Sequence, residues 1–289
     1  MKKRLSDIEI SKVLLITDVD GTLLNDFHEL TDTNIAAINA LRAAGGAFTI
    51  ATGRGVSMAR LIAEKLDIDC PAVIFNGAAV YDFKKNKQLW CCSLKPETKN
   101  YIELVFEKFP TCAIEILRGD DVYLLRNNAL EEKHLSFGKV IPIETTLDEI
   151  PPTDWQKVLF IDCPENIDSL IDFTQEHCSK NACWVRSAPV YYELLPENVN
   201  KGSGMLKMLP FIGDGLFTVA AGDFMNDIEL LEYADMGIAV DNAEESVKAV
   251  ADMVVTHNNN HAISEIIDYI FKNVLKRREE ITKDYGCAN

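Results

Sequence analysis

Short apolar runs alternate with amphipathic segments in the first and last thirds of the 289-residue chain. A short apolar run that stops at a polar residue is typical of a strand buried on both faces, and apolar residues every three or four positions indicate a helix. These patterns predict strands at residues 12–17, 47–51 and 72–75 and helices at residues 33–44 and 58–66. The alternation resumes late in the chain, with strands at 217–221, 237–240 and 253–255 and helices at 204–209, 227–233, 243–251 and 262–275.

The middle of the chain has a different pattern of predicted strands and helices. Between residues 82 and 195, two helical segments (97–109 and 166–177) are mixed with strand-like runs at 112–117, 122–125, 158–162, 183–187 and 190–194. Strand–helix alternation predicts right-handed βαβ units around a parallel sheet. We therefore predict an α/β fold: a doubly wound, Rossmann-like core of residues 1–81 and 196–289, into which an α+β domain of residues 82–195 is inserted.

Composition narrows the class of protein. Hydrophobic residues make up 47% of the chain and its net charge is −16, without the basic footprint that a nucleic-acid-binding protein needs. No stretch approaches the roughly 20 apolar residues of a membrane span. The eight cysteines form no C-x-x-C pair and no zinc-binding spacing with histidine, which favours reduced thiols and a cytoplasmic location.

Polar residues follow three of the predicted strands directly. Asp18 comes after the first strand, Thr52 after the second, and Asp223 after Gly222 at the end of the strand at 217–221. Ligands of open parallel sheets bind beyond the carboxyl ends of the strands, at the point where strand order reverses. We therefore expect these side chains to form a site at one edge of the sheet.

Asp18 and Asp20 place two carboxylates on the turn at Gly21, and Asp223 and Asp227 add two more at the same predicted edge. Without a cation they would repel one another. Oxygen ligands with no nearby histidine or cysteine favour Mg²⁺. Asp-x-Asp-Gly is also typical of a plain surface turn, but its position at the end of the first strand favours a site.

The chain resembles the haloacid dehalogenase (HAD) superfamily, and within it the Cof-type (class IIB) sugar-phosphatase branch. Four motifs carry the resemblance in chain order: Asp18-Val19-Asp20-Gly21-Thr22, Thr52-Gly53-Arg54, Lys201-Gly202 and Gly222-Asp223-Phe224-Met225-Asn226-Asp227. Asn76-Gly77-Ala78 and the segment from Gly237 to Ala243 are also similar to this branch. The resemblance covers nearly the whole chain.

The resemblance implies a Mg²⁺-dependent phosphatase that works through an aspartyl-phosphate. Asp18 would attack phosphorus, and Asp20 would protonate the leaving oxygen and then activate water. Mg²⁺ would be held by Asp18, the backbone carbonyl of Asp20 and Asp223, with Asp227 as a ligand or a support. The phosphate would be bound by the side chain of Thr52, by backbone N–H groups near Val19 and Gly53, and by Lys201 and Asn226.

Some assignments stay open at this level. Lys207 competes with Lys201 for the role of the essential lysine, and Arg54 could bind phosphate or pair with an acid of the insertion. After Thr256 the chain departs from the branch: Asn258 fits, but the expected acidic residues and the Gly are absent. His257 and His261 in this loop could form a metal site, although two solvated histidines are the simpler interpretation.

The position of the insertion, between the second and third motifs, implies a C2-type cap that excludes water and selects the substrate. Its candidate contact residues are Arg118, Arg186, Tyr191 and Glu193, although a structural or surface role is the simpler interpretation of each. The expected substrate is a small phosphorylated metabolite such as a sugar phosphate, with no nucleic-acid or membrane partner, and the expected state is a monomer or small homo-oligomer. A phosphotransferase or phosphomutase with the same intermediate, and a non-enzymatic phosphate-ligand sensor, are the alternatives.

Overall fold

The structure is a computed structural model that describes residues 4–178 and 180–285, with side chains in the last helix described as far as Val274. The strands are β1 (Val13–Thr17), β2 (Ala47–Ile50), β3 (Ala72–Ile74), β4 (Ala79–Asp82), β5 (Lys87–Cys91), β6 (Ala113–Arg118), β7 (Asp121–Arg126), β8 (Ile143–Glu144), β9 (Lys157–Ile161), β10 (Ala182–Ala188), β11 (Tyr191–Pro196), β12 (Phe217–Gly222), β13 (Met236–Val240) and β14 (Met253–Val255). The helices are α1 (Asp32–Ala43), α2 (Val56–Lys65), α3 (Lys99–Lys108), α4 (Ala129–Gly138), α5 (Pro164–His177), α6 (Lys201–Met208), α7 (Ile228–Tyr233), α8 (Glu245–Val250) and α9 (Ala262–Tyr285).

The chain divides into two compact units. The first unit comprises Met1–Ala51, Ile68–Pro71 and Leu209–Asn289, and the second comprises Thr52–Asp67 and Ala72–Met208. This division gives α2, β3 and α6 to the second unit, whereas the sequence pattern assigned them to the core. The boundaries of the insertion at residues 81/82 and 195/196 stay a prediction.

A five-stranded parallel sheet forms the centre of the first unit. Its strand order is β14-β13-β12-β1-β2, with all neighbouring pairs parallel. β1 is wholly buried, as its run of apolar residues predicts. From β1 the chain moves outward to β2, whereas β12, β13 and β14 follow one another in the opposite direction. The strand order therefore reverses between β1 and β12, which makes their carboxyl ends the topological switch point.

The second unit contains two antiparallel arrangements. One is a three-stranded sheet of order β3-β4-β5, and the other is a six-stranded sheet of order β10-β11-β9-β6-β7-β8, antiparallel except for the pair β7 and β8. One face of the larger sheet packs in a hydrophobic core with residues of α3 and α5. Glu115, Leu159 and Glu193 are paired across β6, β9 and β11. Because side chains alternate along a strand, these three lie on the other face.

The predicted α/β fold with a doubly wound core is confirmed, but one strand prediction is wrong in its pairing. Residues 72–75 were expected to extend the parallel sheet, whereas β3 pairs antiparallel with β4. The cause is the turn between them, where Phe75, Asn76 and Gly77 all have positive φ and reverse the chain within three residues. The hairpin β4–β5, helix α4 and the short strand β8 were not predicted.

Candidate active site

Three carboxylates meet at the switch point of the parallel sheet in the first unit. Asp18 follows β1 and Asp223 follows β12, and one carboxylate oxygen from each lies within 4.8 Å of the other and of one from Asp227. The backbone joins the two strand ends, since the Asp18 N–H donates to the Ala221 carbonyl at 2.9 Å. Asp18 and Asp227 are buried. The structure thus brings together three of the four acids that the sequence assigned to a metal site.

The turn after Asp18 positions Asp223. Gly21 has φ +82°, and a Cβ at this position would overlap the carboxylate of Asp223. The next residue, Thr22, is fully buried and its hydroxyl donates to Asp223 Oδ1 at 2.6 Å. Asn242 donates to the Gly21 carbonyl at 2.8 Å. Only glycine combines this backbone conformation with such a close approach, which gives a physical reason for the Asp-Gly-Thr sequence here.

Asp227 holds the loop that carries Asp223. Its Oδ2 accepts hydrogen bonds from the backbone N–H groups of Asp223 at 3.1 Å and Phe224 at 3.2 Å. Its side chain is fully buried. Asn226, one residue earlier, is also buried. These bonds fix the backbone from Asp223 to Asp227, so Asp227 supports the site whether or not it also touches an ion.

Asp20 differs from the other acids because it reaches solvent. Its side chain is 45% exposed, and its Oδ1 lies 3.6 Å from His28 Nδ1. It is not part of the three-carboxylate group. A carboxyl group with access to water suits proton transfer better than permanent ligation of a cation.

The donor set of the acidic cluster fits a hard divalent cation. All of its ligands are carboxylate oxygens, the group is largely buried, and three negative charges at this separation repel one another unless they are neutralised. Oxygen-only sites of this kind favour Mg²⁺, Ca²⁺ or Mn²⁺ over zinc.

Thr52 and the turn after β3 form one hydrogen-bonded group in the second unit. Thr52 is buried, its N–H donates to the Val73 carbonyl, and its carbonyl accepts from the Asn76 N–H. Its Oγ1 also accepts from the Arg54 N–H at 3.1 Å. Phe75 and Asn76 hold left-handed backbone conformations that are uncommon outside glycine, and such strain collects at functional sites.

Lys201 is the first residue of α6 and is only 1% exposed. α6 approaches the turn closely because Gly204 packs on Gly77, and a Cβ on Gly77 would overlap the Asn200 carbonyl. Lys201 is thereby fixed at the end of a helix that is anchored beside the Asn76-Gly77 turn. Lys207, its competitor in the sequence, is exposed and lies 5.8 Å from the ring centre of Trp90.

The second unit contains a buried ion pair between Lys157 and Glu193. Glu193 was a candidate from the sequence, but Lys157 was not. Lys157 Nζ donates to the Gly53 carbonyl at 2.7 Å and lies 3.2 Å from Glu193 Oε1. Glu193 also accepts from Asn76 Nδ2 and from the Ser187 hydroxyl. Glu193 was considered as a substrate contact, whereas its carboxylate here joins β11 to the Thr52-Gly53 and Asn76 segments. The available signal for Lys157 was its position directly before the apolar strand predicted at residues 158–162.

The other predicted positions have local partners. Arg186 pairs with Asp168 at 2.7 Å, and Arg118 donates to the Thr153 carbonyl at 3.2 Å. Tyr191 Oη lies 3.2 Å from His134 Nδ1. In the loop after β14, His261 Nδ1 lies 3.1 Å from the Thr31 hydroxyl, and His257 Nδ1 accepts from the Asn259 N–H. Among the described residues, the groups able to hold a metal ion do not include these two histidines.

Comparison with known proteins defines the class. The sequence model of the haloacid dehalogenase-like hydrolases matches residues 15–267. The Bacillus subtilis protein YcsE, named 5-amino-6-(5-phospho-D-ribitylamino)uracil phosphatase, is 26% identical over 280 residues, covering 92% of this chain and 98% of its own. The structure of TM0651 from Thermotoga maritima aligns with a TM-score of 0.74 and 26% identity, covering 89% and 97% of the two chains. The HAD subclass IIB sugar phosphatase BT4131 aligns with a TM-score of 0.78 at 21% identity, covering 89% and 98%, which shows the common fold.

The fold, the acidic cluster and these matches define a phosphatase. The chain belongs to the haloacid dehalogenase-like hydrolase family, in its Cof-type branch. Enzymes of this superfamily generally use a divalent metal, and the acidic cluster at the switch point provides carboxylates of the right kind. Of the residues that the structure describes, none belongs to a helix both long and apolar enough to cross a membrane.

Proposed function

We propose that this protein hydrolyses a small phosphate monoester, such as a sugar phosphate, in a Mg²⁺-dependent reaction through an aspartyl-phosphate. The observation that carries the proposal is the meeting of the Asp18, Asp223 and Asp227 carboxylates at the switch point of the sheet. A divalent cation held there by Asp18, the Asp20 carbonyl and Asp223 would supply the positive charge that a phosphate dianion needs beside an acidic chain.

Asp18 and Asp20 have different roles in the two half-reactions of this proposal. One Asp18 carboxylate oxygen forms a bond to phosphorus while the bond from phosphorus to the ester oxygen breaks, and Asp20 gives its proton to that leaving oxygen. In the second half-reaction Asp20 takes a proton from water, whose oxygen attacks phosphorus and releases Asp18. The exposure of Asp20 is consistent with this exchange of protons with solvent.

The remaining predicted residues bind the phosphoryl group in this proposal. Thr52 contributes its hydroxyl, Val19 and Gly53 contribute backbone N–H groups, and Lys201 contributes an ammonium group. Asn226 helps to place the phosphoryl group or Lys201. The burial of Thr52 and Lys201 supports these roles, since a buried polar side chain at a fixed position is preorganised for binding.

The experiment compares Asp18→Asn with Asp32→Asn, a matched change at an exposed position in the first turn of α1. Release of inorganic phosphate from para-nitrophenyl phosphate is measured with Mg²⁺, with EDTA, and after Mg²⁺ is restored. We expect Asp18→Asn to lower the turnover number at least about 10³-fold. Asp32→Asn should leave the turnover number near that of the wild type. Unchanged turnover in Asp18→Asn would overturn the assignment of the nucleophile.

The substrate class is tested by a screen of phosphorylated sugars, sugar alcohols and nucleotides with product analysis. Release of free phosphate supports a hydrolase, whereas an isomerised phosphate ester without free phosphate identifies a mutase. Retention of Asp18, Asp20, Thr52, Lys201 and Asp223 in one chain argues against a sensor that has lost catalysis.

A further inference from the structure

A second group of potential metal ligands lies in the second unit and includes none of the residues predicted for the phosphatase site. It consists of Glu115 on β6 and Glu131 and His134 on α4, and one ligand atom from each lies within 4.8 Å of the other two. Its donors are two carboxylates and an imidazole. Proposals about this group therefore stand independently of the phosphatase reaction.

Local structure brings these three side chains together. Glu131 and His134 are three residues apart on α4 and so lie on one face of the helix. The helix begins at Asn128, whose side chain accepts from the N–H groups of Leu130 and Glu131 and donates to the Ile161 carbonyl at the end of β9. Glu115 lies on the sheet face opposite the hydrophobic core. The Glu-x-x-His spacing is one that helices use to bind metal ions in carboxylate sites.

Three of the four carboxylate oxygens of Glu115 and Glu131 are buried without a hydrogen-bond donor among the residues that the structure describes. Glu131 is 0% exposed, and neither of its carboxylate oxygens accepts a hydrogen bond from any residue that the structure describes. The same holds for Oε2 of Glu115, which is 2% exposed. Burying a polar group without a partner costs about 1–3 kcal/mol, and more if it is charged. Two buried carboxyl groups in this state require either a shared proton or a cation.

The charges nearby do not remove this requirement. Burial, and then the charge of Glu115, raise the pKa of Glu131 to about 10 in the absence of an ion. Lys157 attracts both carboxylates, but its ammonium donates to the Gly53 carbonyl and pairs with Glu193. A divalent cation would neutralise the two carboxylates fully, because its charge matches theirs.

His134 is oriented as a metal-binding imidazole usually is. Its Nδ1 lies 3.2 Å from the Tyr191 hydroxyl and its Nε2 lies 3.8 Å from Glu115 Oε1. A hydrogen bond at one ring nitrogen fixes the ring and leaves the other nitrogen to face the ion. The His134 side chain is 17% exposed, whereas that of Glu115 is 2% exposed, so an ion can enter from the His134 side.

We propose that Glu115, Glu131 and His134 bind a divalent transition-metal ion of the Zn²⁺ class. Mixed carboxylate and imidazole donors favour zinc over Mg²⁺, which prefers oxygen ligands and keeps several waters. Ligand atoms around a tetrahedral Zn²⁺ lie about 3.4 Å apart, so movements of roughly an ångström would complete the site. Water would take the remaining position. The ion would join α4 to β6 within the second unit.

The test uses the full chain in an Asp223→Asn background, which weakens the acidic cluster of the first unit. Protein is dialysed against Zn²⁺ and then against metal-free buffer, and bound zinc is counted by inductively coupled plasma mass spectrometry. We expect Glu131→Gln and His134→Gln each to lose about one zinc ion per chain. Glu132→Gln is the matched control, because it makes the same change on the exposed side of the same helix and should lose none.

A second measurement distinguishes loss of the metal site from misfolding of a variant. Co²⁺ replaces Zn²⁺, and the position and intensity of its visible absorption report on the number and geometry of its ligands. We expect the spectrum to appear in the Glu132→Gln control and to be absent in both site variants, with circular dichroism unchanged. Equal zinc content in Glu131→Gln, His134→Gln and the control would overturn the proposal and would assign a shared proton to Glu115 and Glu131. The phosphatase proposal is unaffected by either result, because it is tested on Asp18.

Discussion

A single buried hydroxyl group orients the Asp223 carboxylate. Thr22 donates to Asp223 Oδ1 at 2.6 Å, and such supporting bonds to a ligand typically contribute about 10–100-fold to metal affinity. We predict that Thr22→Val raises the Mg²⁺ concentration for half-maximal activity by about tenfold or more, as measured from initial rates over a Mg²⁺ titration. Thr22→Ser keeps the hydroxyl and should stay near wild type. An unchanged Mg²⁺ requirement in Thr22→Val would contradict this role.

The ion pair of Lys157 and Glu193 is buried on both sides, with exposures of 5% and 3% for the two side chains. Removing one partner of a buried pair costs about 3–5 kcal/mol, because the other charge is left without compensation. We predict that Lys157→Met lowers the free energy of unfolding of the second unit by about 3 kcal/mol. The double change Lys157→Met with Glu193→Gln should recover more than half of this loss.

Tryptophan fluorescence during urea unfolding measures this effect in the right part of the chain. The protein has three tryptophans, Trp90, Trp155 and Trp184, and all of them belong to the second unit. If the double variant is as unstable as the sum of the two single variants, the two side chains are not energetically coupled.

At the level of single residues, the sequence predicts the location of side chains that come directly after a strand. Asp18 and Asp223 come directly after apolar strands, so their meeting at one sheet edge follows from the parallel fold alone. The contact of Lys157 with Gly53 spans 104 positions of sequence, and no local pattern specifies it. Thr22 lay within a recognised motif, but its bond to Asp223 depends on how the turn at Gly21 packs.

The loop after β14 supports the segment that follows the first motif. Asn258 is buried, and its Nδ2 donates to the Leu24 carbonyl at 3.0 Å and to Asp26 at 3.1 Å. Its backbone N–H donates to Asn242 Oδ1, and Asn242 in turn donates to the Gly21 carbonyl. The departure of this loop from the family pattern therefore leaves its contacts with the turn at Gly21 and the segment after it in place.

Asn258→Ala should lower the free energy of unfolding of the first unit by about 1–3 kcal/mol, because the buried Leu24 carbonyl loses its donor. Asn260→Ala, at an exposed position in the same loop, is the control and should have little effect. Thermal unfolding followed by circular dichroism gives the comparison. Equal stability of the two variants would show that the loop does not support the turn.

The same loop gives this prediction a pH dependence. Hydrogen bonds from Asn259, and then from Asn258, hold the pKa of Asp26 below its ordinary value of 3.8. A group whose pKa is lower in the folded state stabilises the fold above its unfolded pKa and loses that contribution as the pH falls through the folded value. The part of the Asn258→Ala effect that comes from Asp26 should therefore be present at pH 7 and shrink below about pH 4.

Strands and helices could be predicted where the run of apolar residues, or their periodic spacing, was long. They were missed where only a short segment carried the sequence signal. Helix α4 had such a signal: Asn128 is a good N-cap residue and Gly138 ends the helix, yet the charged run between them hid its apolar face. The pairing of β3 could not be predicted, because it depends on positive φ at Phe75, which a bulky residue seldom adopts.

At the scale of the whole molecule, the order of elements decides where chemistry can occur. Strand order in the parallel sheet reverses between β1 and β12, and the Asp18 and Asp223 carboxylates come from the ends of these two strands. The alternation of strands and helices predicts such a reversal without any recognised motif. The division into compact units could not be predicted in the same way, because it depends on packing between segments far apart in sequence, such as Gly77 and Gly204.

The net charge of the whole chain predicts how kcat/KM depends on ionic strength, which no single residue determines. At −16 the protein repels a phosphate dianion at long range. Raising the ionic strength from about 10 to about 150 mM shortens the Debye length from about 30 to about 8 Å and screens this repulsion. We therefore predict that kcat/KM for a phosphate monoester rises on the order of twofold over this range, with kcat nearly constant.

Free Mg²⁺ must be held at saturation during this titration, because salt also weakens the attraction of the acidic cluster for the cation. Tetramethylammonium chloride in place of sodium chloride separates screening from specific binding of Na⁺. A steady fall in kcat/KM with either salt would mean that local positive charge at the residues proposed to bind phosphate, Lys201 among them, outweighs the field of the whole chain. The sign of the salt effect therefore distinguishes a substrate that approaches against the net charge from one that is drawn in by the site.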